Sequence, residues 1–556
     1  MNKKVCSFPI LFALLALLIG TCAVVFPASA QAAPTSTGSI TVSGTVASSY
    51  DAYQIFSANV VDGDSDAKIA TDLAWASDAV REAALPVLHS AGMPKSQTTA
   101  QEAAEWLNSD SHLTSALSAQ LARSLRSSGA VSVALNAGTT AELSCGYWLI
   151  VADDDAISQN EAGTAPIMAL VGGSAVTVKP KAATPKVAKH VLEDSTAAWQ
   201  KAADATVADD LYWRLSATVP AGLTAYDTYA VRFVDTMGAG LDPSKVAASM
   251  RVYAAAGADG GFDAVSTSKD GRAGTEPAKG WTDITAQCAT KVAADGKTFT
   301  VRTGDLIAAL GGTEAFTAGA RVVAVYNAPL NSACSHGIAK GNPNEVYLRY
   351  PRSPLADQSG DAGFIRTPSD DACAYTWDLA LTKRGSDGDR PLAGAVLSIA
   401  DDRGRTLAAD GTWDAEGKAT VTTGEDGRVT VSGVDSGKLE VRELKAPKGY
   451  TAFEGTRSVT VKAEGLDVDQ VAAAKPKLTI TAESPLRADS ADGSTGSLEA
   501  SIINTPTGTP PSITTGGFMP STGDMAMYAA AAAAVAGAAL IVVALLVKRG
   551  GGSHKE

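Results

Sequence analysis

The chain has 556 residues, a formal net charge of −13 and a sequence pI of about 5.0. The length allows about three to four domains, and the acidic balance argues against a nucleic-acid partner. Aromatic residues make up only 6% of the chain while glycine is abundant, a mixture that favours turn-rich β-domains over a large enzyme core.

The first 30 residues (1–30) are predicted to be a secretion signal. Lys3 and Lys4 give a charged start, and an apolar run follows over residues 9–26. Residues 28–30, Ala-Ser-Ala, have the small-x-small pattern of a cleavage site. The alternative interpretation is an uncleaved membrane anchor.

The first domain is predicted over residues 38–180. Strand patterns open it in SITVSGTV and YDAYQIF, and strand patterns return in YWLIVADD and SAVTVKPK. Between them a leucine recurs every fourth residue, which predicts a helical insert with one apolar stripe packed into the core. The members of this stripe are Leu113, Leu117, Leu121 and Leu125.

Two further β-domains are predicted downstream, over residues 186–353 and 374–505. The segment KPKAATPK precedes the second domain, and PLADQSGDAG breaks the strand pattern before the third. A Pro/Thr/Gly stalk at 506–518 cannot form a core. The predicted fold class is therefore mainly β, with three tandem immunoglobulin-like β-sandwich domains, the first with a helical insert.

The end of the chain predicts a C-terminal transmembrane helix. Residues 525–547 are apolar and long enough to span a bilayer, which takes about 20 residues. Lys548 and Arg549 follow directly and predict that the tail, residues 548–556, stays in the cytoplasm. A signal at one end and a span at the other place nearly the whole chain outside the cell.

Four cysteines remain after removal of the signal: Cys145, Cys288, Cys334 and Cys373. Their spacing does not resemble a zinc site. A Cys288–Cys334 disulfide is compatible with export, but the sequence does not determine the pairing. The five histidines accompany no convincing nucleophile–base arrangement. The sequence therefore predicts no metal site, no cofactor and no enzyme.

Three polar residues of the third domain fall on strand faces that are otherwise apolar. Because strand side chains alternate between faces, Lys383 shares the apolar face of WDLALTKRG, Glu443 that of KLEVREL and Asn504 that of SLEASIINTP. Burying such groups singly is costly. One interpretation is that each lies at a strand end and turns into solvent; the other is a shared chemical role.

The chemical interpretation is an amide cross-link. Burial lowers the pKa of a lysine and raises that of a carboxylic acid, so Lys383 can act as a neutral nucleophile. A protonated Glu443 can polarise the Asn504 carboxamide. The product is a Lys–Asn isopeptide bond that closes a loop of 121 residues with loss of ammonia.

The segments LTKRGSDGDRPLAGAVLSI, KLEVRELKAPKGY and IINTP closely resemble the collagen-adhesin B-type (Cna B-type) domain. In that family a first-strand lysine bonds a last-strand asparagine, assisted by the glutamate before AP.GY. The resemblance assigns these roles to Lys383, Asn504 and Glu443. Leu439 stands where a tyrosine is common, a departure that leaves the chemistry unaffected.

The second domain carries a similar but less regular set. Lys189, Asp235 and Asn344 lie on apolar faces of TPKVAKHVLE, YAVRFVDTMGAGL and GNPNEVYLRY. This set resembles the middle isopeptide domain of Gram-positive pilins and implies a Lys189–Asn344 bond with Asp235 as the acid. Asn342 is also in register, so the acceptor stays open. The first domain's opening strand has no lysine, and no bond is predicted there.

The chain as a whole resembles the backbone pilins of Gram-positive sortase-assembled pili. VTVKPK is similar to their pilin motif, Val-Tyr-Pro-Lys, and this similarity places the polymerising lysine at Lys181. Lys179 replaces the tyrosine of the motif, and Ala182 replaces a frequent asparagine. The alternative is a basic interdomain linker.

MPSTG resembles the Leu-Pro-x-Thr-Gly sorting signal and is followed by the apolar span and the basic tail in the expected order. Its residues are Met519, Pro520, Ser521, Thr522 and Gly523. In that family a sortase cysteine attacks the threonine and passes its carbonyl to an amine of the next subunit or of the cell wall.

The resemblance implies a structural subunit of a covalent surface pilus. The implied partners are a sortase, other copies of the chain and peptidoglycan, with a host or matrix ligand left open. The implied location is the cell surface, anchored in the wall after a transient membrane-bound stage. The alternative is a monomeric wall-anchored adhesin that binds a ligand and needs no Lys181.

Overall fold

The computed structural model describes residues 36–64, 67–109, 111–158, 161–163, 165–181 and 184–508. The predicted signal, sorting motif, transmembrane helix and tail lie outside the described residues, as does most of the stalk. Within the described ranges, no helix is long and apolar enough to cross a membrane. The described chain is mainly β, and its strands form several sheets in three consecutive units.

The first unit contains a three-stranded sheet of order β5-β1-β8 and a five-stranded sheet of order β3-β2-β6-β7, with β4 paired to β2. Its strands are β1 (Thr37–Val42), β2 (Ser49–Asp62), β3 (Lys68–Trp75), β4 (Val133–Asn136), β5 (Thr140–Ser144), β6 (Gly146–Ala152), β7 (Ile167–Val171) and β8 (Val176–Val178). The strand segments predicted from the sequence overlap β1, β2, β6 and β8, although the first and last of these strands are shorter than predicted.

Three helices lie between β3 and β4, where the helical insert is predicted. They are α1 (Asp78–Ser90), α2 (Ala100–Asn108) and α3 (Ser115–Ser128). The predicted leucine stripe lies on α3, where Leu117, Leu121 and Leu125 are buried. Leu113 does not belong to it: it is 36% exposed and precedes the helix, which begins after the capping residue Thr114.

The second unit contains a six-stranded sheet of order β10-β9-β12-β20-β14-β17 and a seven-stranded sheet of order β11-β23-β21-β13-β19-β18, with β22 paired to β21. Its strands are β9 (Lys186–Glu193), β10 (Ala198–Gln200), β11 (Ala202–Asp204), β12 (Tyr212–Val219), β13 (Arg232–Met237), β14 (Arg251–Ala256), β15 (Thr267–Ser268), β16 (Arg272–Ala273), β17 (Thr282–Asp283), β18 (Ala289–Val292), β19 (Thr298–Arg302), β20 (Ala320–Asn327), β21 (Asn342–Pro351), β22 (Phe364–Arg366) and β23 (Asp370–Tyr375). Its short helices are α4 (Val246–Ser249), α5 (Leu306–Ala309) and α6 (Thr313–Phe316).

The second unit extends beyond residue 353, where the sequence analysis predicts that it ends. The prediction ends this domain at residue 353, but β22 and β23 both pair antiparallel with β21. The segment PLADQSGDAG is therefore a loop within the unit, because the chain returns from it to the same sheet. Only Thr376 separates β23 from the first strand of the third unit.

The third unit is a five-stranded sheet of order β29-β24-β35-β31, with β34 paired to β35, and a seven-stranded sheet of order β27-β26-β25-β30-β32-β33, with β28 paired to β25. Its strands are β24 (Trp377–Gly385), β25 (Val396–Ala400), β26 (Thr406–Leu407), β27 (Trp413–Asp414), β28 (Val421–Thr422), β29 (Arg428–Val434), β30 (Gly437–Lys445), β31 (Tyr450–Thr451), β32 (Thr456–Glu464), β33 (Lys477–Ala482), β34 (Leu486–Asp492) and β35 (Ser497–Pro506). One apolar core joins the inner faces of the two sheets.

The second and third units are in direct contact. β11 pairs in parallel with β23. Gly337 donates its backbone N–H to the Thr376 carbonyl, with N and O 3.1 Å apart. A Cβ on Gly337 would lie 2.6 Å from the backbone nitrogen of Gly496, and its φ is +75°. Glycine is required here because the backbones of the two units approach too closely for a side chain.

Candidate cross-linking sites

The three polar residues predicted on core faces of the third unit are all buried. Lys383 is 0% exposed, Asn504 2% and Glu443 7%. They lie on three strands: Lys383 on β24, Glu443 on β30 and Asn504 on β35. The interpretation of solvent-facing strand ends is therefore wrong for this set.

The strand order brings the three side chains into contact. β24 and β35, the first and last strands of the unit, pair in parallel with Gly385 opposite Asn504. Lys383 lies two residues away on the same face, and its Nζ donates a hydrogen bond to Asn504 Oδ1. Glu443 Oε1, from the facing sheet, lies 3.3 Å from Lys383 Nζ and accepts from Asn504 Nδ2 at 2.9 Å.

The environment of the third-unit set favours an uncharged lysine. Burial lowers the pKa of Lys383 from 10.5 to about 8, and the charge of Glu443 opposes this shift. Phe453 covers the set: its ring centre lies 5.8 Å from Lys383 Nζ, and its N–H donates to Glu443 Oε2 at 3.1 Å. An amine, a carboxamide and an acid in contact are the groups that amide exchange requires.

The second unit brings its predicted set together in a different arrangement. Lys189, Asp235 and Asn344 are each 0% exposed. Lys189 lies on β9 of the six-stranded sheet, while the other two lie on β13 and β21 of the facing sheet. Lys189 Nζ donates to Asp235 Oδ2. Burial lowers the pKa of Lys189 to about 8 and raises that of Asp235, so both shifts favour the neutral forms.

Tyr326, which the sequence analysis did not single out, lies at the centre of this second set. Its hydroxyl oxygen accepts from Lys189 Nζ at 2.9 Å and from Asn344 Nδ2 at 2.8 Å, and it donates to Asp235 Oδ2 at 3.0 Å. The signal that was available is a single polar group: Tyr326 shares a strand face with the apolar Val322 and Ala324, and its hydroxyl is buried with them.

The two candidate acceptors of the second unit have different surroundings. Asn342 is buried, but its amide is engaged elsewhere: Nδ2 donates to the Ser335 and Ala374 carbonyls at 2.9 and 3.1 Å. Its Oδ1 accepts from the Ser335 N–H at 2.8 Å. Asn344 is the asparagine that contacts the Lys189 set, through Tyr326.

The predicted polymerising lysine lies at the junction of the first and second units. Lys181 is exposed, between β8 and β9, and follows the buried Pro180. Lys179 is exposed as well. The strand before them is fixed to the first unit by a hydrogen bond from the Ser43 N–H to the Val178 carbonyl at 2.8 Å.

Lysine burial in the first unit serves a different purpose. Lys68 is 8% exposed, and its Nζ donates to the carbonyls of Gly172 and Ser174 at 2.5 and 2.6 Å. Asp62 lies 3.3 Å away. Through these carbonyl contacts Lys68, on β3, holds the turn between β7 and β8 in place.

The four described cysteines are all free, so Cys288 and Cys334 are not joined. Cys334 Sγ lies 3.5 Å from His336 Nε2, and Cys288 Sγ donates to the Ile284 carbonyl at 3.3 Å. Among the residues that the structure describes, no group of three or more His, Cys, Asp or Glu side chains has an arrangement that could hold a metal ion.

Comparison with known families gives a match for part of the chain. Residues 378–475 match the family described as SpaA: Prealbumin-like fold domain. The match falls within the third unit. The trypsin-resistant surface T6 protein of Streptococcus pyogenes serotype M6 is 30% identical over 143 residues. That alignment covers 24% of this chain and 24% of the relative, about a quarter of its length.

Solved structures of pilins are similar over a longer part of the chain. The T6 backbone pilin of serotype M6 Streptococcus pyogenes has 16% identity and a TM-score of 0.45, covering 85% of this chain and 98% of that one. The full-length major pilin SpaD from Corynebacterium diphtheriae has 16% identity and a TM-score of 0.40, covering 86% and 100%. Likeness at this level assigns no residue role to this chain.

Proposed function

We propose that the protein is a structural subunit of a covalently polymerised, sortase-assembled surface pilus, cross-linked internally by Lys–Asn isopeptide bonds. The observation that carries this proposal is the contact among Lys383, Glu443 and Asn504 in a closed, buried site. A second lysine–acid–asparagine set in the preceding unit supports it. The partial match to a surface T6 protein supports a cell-surface location.

In the third unit, the neutral Lys383 amine attacks the side-chain carbonyl carbon of Asn504. Glu443 contacts both the amine and the amide nitrogen, so it can accept the proton that the amine loses and deliver a proton to the departing nitrogen. One C–N bond forms, another breaks and ammonia leaves. The reaction occurs once per chain, so the protein is a structural subunit and not an enzyme.

Polymerisation joins the sorting motif of one subunit to a lysine at a unit junction of the next. A sortase forms an acyl-enzyme with Thr522 of the motif, and an exposed lysine amine of the next subunit resolves it. Lys181 suits this role because it is exposed at a unit junction and its flexible stem can enter another enzyme's active site. The final subunit is transferred to peptidoglycan. Adhesion to a host or matrix ligand would be a property of the assembled fibre.

The proposal is tested by immunoblotting of cell-wall extracts. The native chain should give a high-mass ladder, and Lys181→Ala should reduce it to a single subunit-sized band. The matched control is Lys179→Ala, which removes an exposed lysine two residues away and should keep the ladder. A single band for the native chain would support the monomeric wall-anchored adhesin instead.

A further inference from the structure

The Tyr326 hydroxyl contacts every member of the Lys189 set. It accepts hydrogen bonds from Lys189 Nζ and Asn344 Nδ2 at 2.9 and 2.8 Å and donates to Asp235 Oδ2 at 3.0 Å. Tyr326 is itself 0% exposed. The four groups therefore form a hydrogen-bonded network closed to solvent.

The third unit achieves the same connection without a tyrosine. There Glu443 Oε1 contacts both the lysine and the amide nitrogen, at 3.3 and 2.9 Å. In the second unit the acid is an aspartate, one methylene shorter. Among the described residues, neither Asp235 Oδ1 nor Asn344 Oδ1 has a hydrogen-bond partner. The hydroxyl of Tyr326 occupies the position between the short acid and the amide.

We propose that Tyr326 is a catalytic residue of the second unit, which relays a proton from Asp235 to the amide nitrogen of Asn344. This inference rests on the proposed Lys189–Asn344 bond. Tyr326 performs the part that the longer side chain of Glu443 performs directly in the third unit.

The relay gives a balanced reaction. Lys189 Nζ attacks Asn344 Cγ, and the carbonyl π electrons move to Oδ1. The amide nitrogen, now tetrahedral and basic, takes the hydroxyl proton of Tyr326, and Tyr326 recovers a proton from the neutral Asp235 carboxyl. The Lys189 nitrogen, positively charged after the attack, then gives a proton to the Asp235 carboxylate, which it contacts. The Cγ–Nδ2 bond breaks, the carbonyl reforms and ammonia leaves, so Asp235 and Tyr326 end as they began.

The hydroxyl is suited to this relay because it stays protonated. Burial and the nearby Asp235 hold the pKa of Tyr326 well above its usual value of 10. The hydroxyl therefore acts as a proton donor and acceptor in turn, without carrying charge into the core.

The test is the mass of the full-length chain, followed in time after cell-free synthesis. Each bond removes one ammonia, about 17 Da, so the native chain should lose two. Tyr326→Phe should lose the third-unit ammonia at the native rate and the second-unit ammonia roughly 100-fold more slowly, the usual contribution of a general acid–base group. Formation of the Lys383–Asn504 bond in the same chain is the reference that corrects for the rates of synthesis and folding.

The matched control is Tyr350→Phe. Tyr350 is also 0% exposed in the second unit, and its hydroxyl has no hydrogen-bond partner among the described residues. This variant should lose both ammonias at the native rate. Site-specific 3-fluorotyrosine at position 326 keeps the ring and the hydroxyl and should restore the second loss; a purely steric requirement for the ring would already be met by phenylalanine.

The outcomes separate the relay from the bond. If the native chain loses one ammonia from its sequence mass and the Lys189→Ala chain also loses one, the proposed second-unit bond is wrong and so is the relay. If the native chain loses two ammonias and Tyr326→Phe loses both at the same rate, the bond stands and the relay is overturned. Failure of 3-fluorotyrosine to restore the second loss also overturns it.

Discussion

Buried carboxyl groups lie where the second and third units meet, and Glu193 is one of them. It is 3% exposed, and its Oε2 accepts from the Asp204 N–H at 3.2 Å. Asp204 in turn accepts from Trp377 Nε1 and from the Ser436 N–H of the third unit, at 2.7 and 2.8 Å. Burial, and next the charge of Asp204, raise the pKa of Glu193 from 4.5 to about 7. Burial also raises the pKa of Asp194 and of Asp435.

Each of these raised pKa values contributes a loss of stability as the pH rises. The unfolded chain releases the Glu193 proton near pH 4.5, whereas the folded chain keeps it up to about pH 7. The Glu193 contribution to the free energy of unfolding should therefore fall across this interval, by up to an amount on the order of 3 kcal/mol. His190, whose pKa burial lowers from 6.5 to about 4, contributes in the opposite direction. The test is therefore a difference: in thermal unfolding midpoints measured from pH 4.5 to 7.5, Glu193→Gln should gain on the native chain as the pH rises.

The control for this titration is Glu425→Gln, which removes a carboxylate that is exposed in the third unit. It should keep the native slope. An unchanged slope in Glu193→Gln would show that Glu193 does not titrate in this interval.

At the scale of single residues, the sequence predicted the members of both buried sets from strand alternation and family resemblance. A period of two is enough to place Lys383, Glu443 and Asn504 on core faces. The same pattern does not single out Tyr326, because tyrosine is often buried and its presence on an apolar face is not unusual. Only the three-dimensional arrangement shows that its hydroxyl lies between an acid and an amide.

At the scale of elements, the pairing of β24 with β35 decides what a cross-link would do. The first and last strands of the third unit lie side by side in parallel, and Lys383 and Asn504, which are in contact, are 121 positions apart. A covalent link here would close nearly the whole unit into a loop. Such a link restricts the unfolded chain and so raises the free energy of unfolding.

Asn504→Ala should remove this link and leave Lys383 and Glu443 paired, 3.3 Å apart. We expect the third unit to lose about 4–5 kcal/mol, by analogy with a disulfide that closes a loop of similar size. Urea unfolding, with the unfolded segment located by pulse proteolysis and mass mapping, measures this loss. The mass of the variant should also exceed that expected for two bonds by one ammonia, about 17 Da.

Asn342→Ala is the matched control, because it removes a buried and hydrogen-bonded asparagine outside both sets. It should cost about 1–3 kcal/mol and leave both ammonia losses intact. An Asn504→Ala chain that unfolds at the native urea concentration would contradict a stabilising cross-link.

The elements themselves were predictable to different degrees. Long alternating strands such as β24, β30 and β35 follow from their pattern, and the leucine stripe gave α3. The start of α3 did not follow, because the cap at Thr114 excludes Leu113. β22 and β23 were missed because a loop rich in Gly, Asp and Ser separates them from β21, and only pairing across that loop reveals that they share its sheet.

At the scale of the whole molecule, the three units follow one another with little free chain between them. Thr376 alone separates the sheets of the second and third units, and their backbones meet at Gly337 and Gly496. The exposed Lys181 lies at the other junction. This arrangement suits the proposed pilus subunit, in which load would pass from one covalent link, through cross-linked units, to the next link.

The most direct measurement is tandem mass spectrometry of protease digests from wall-extracted polymer. The account predicts a branched peptide in which the Thr522 carbonyl is joined by an amide to the Lys181 side chain of another subunit. Digests in which Thr522 is joined only to peptidoglycan, or to a lysine other than Lys181, would contradict the account.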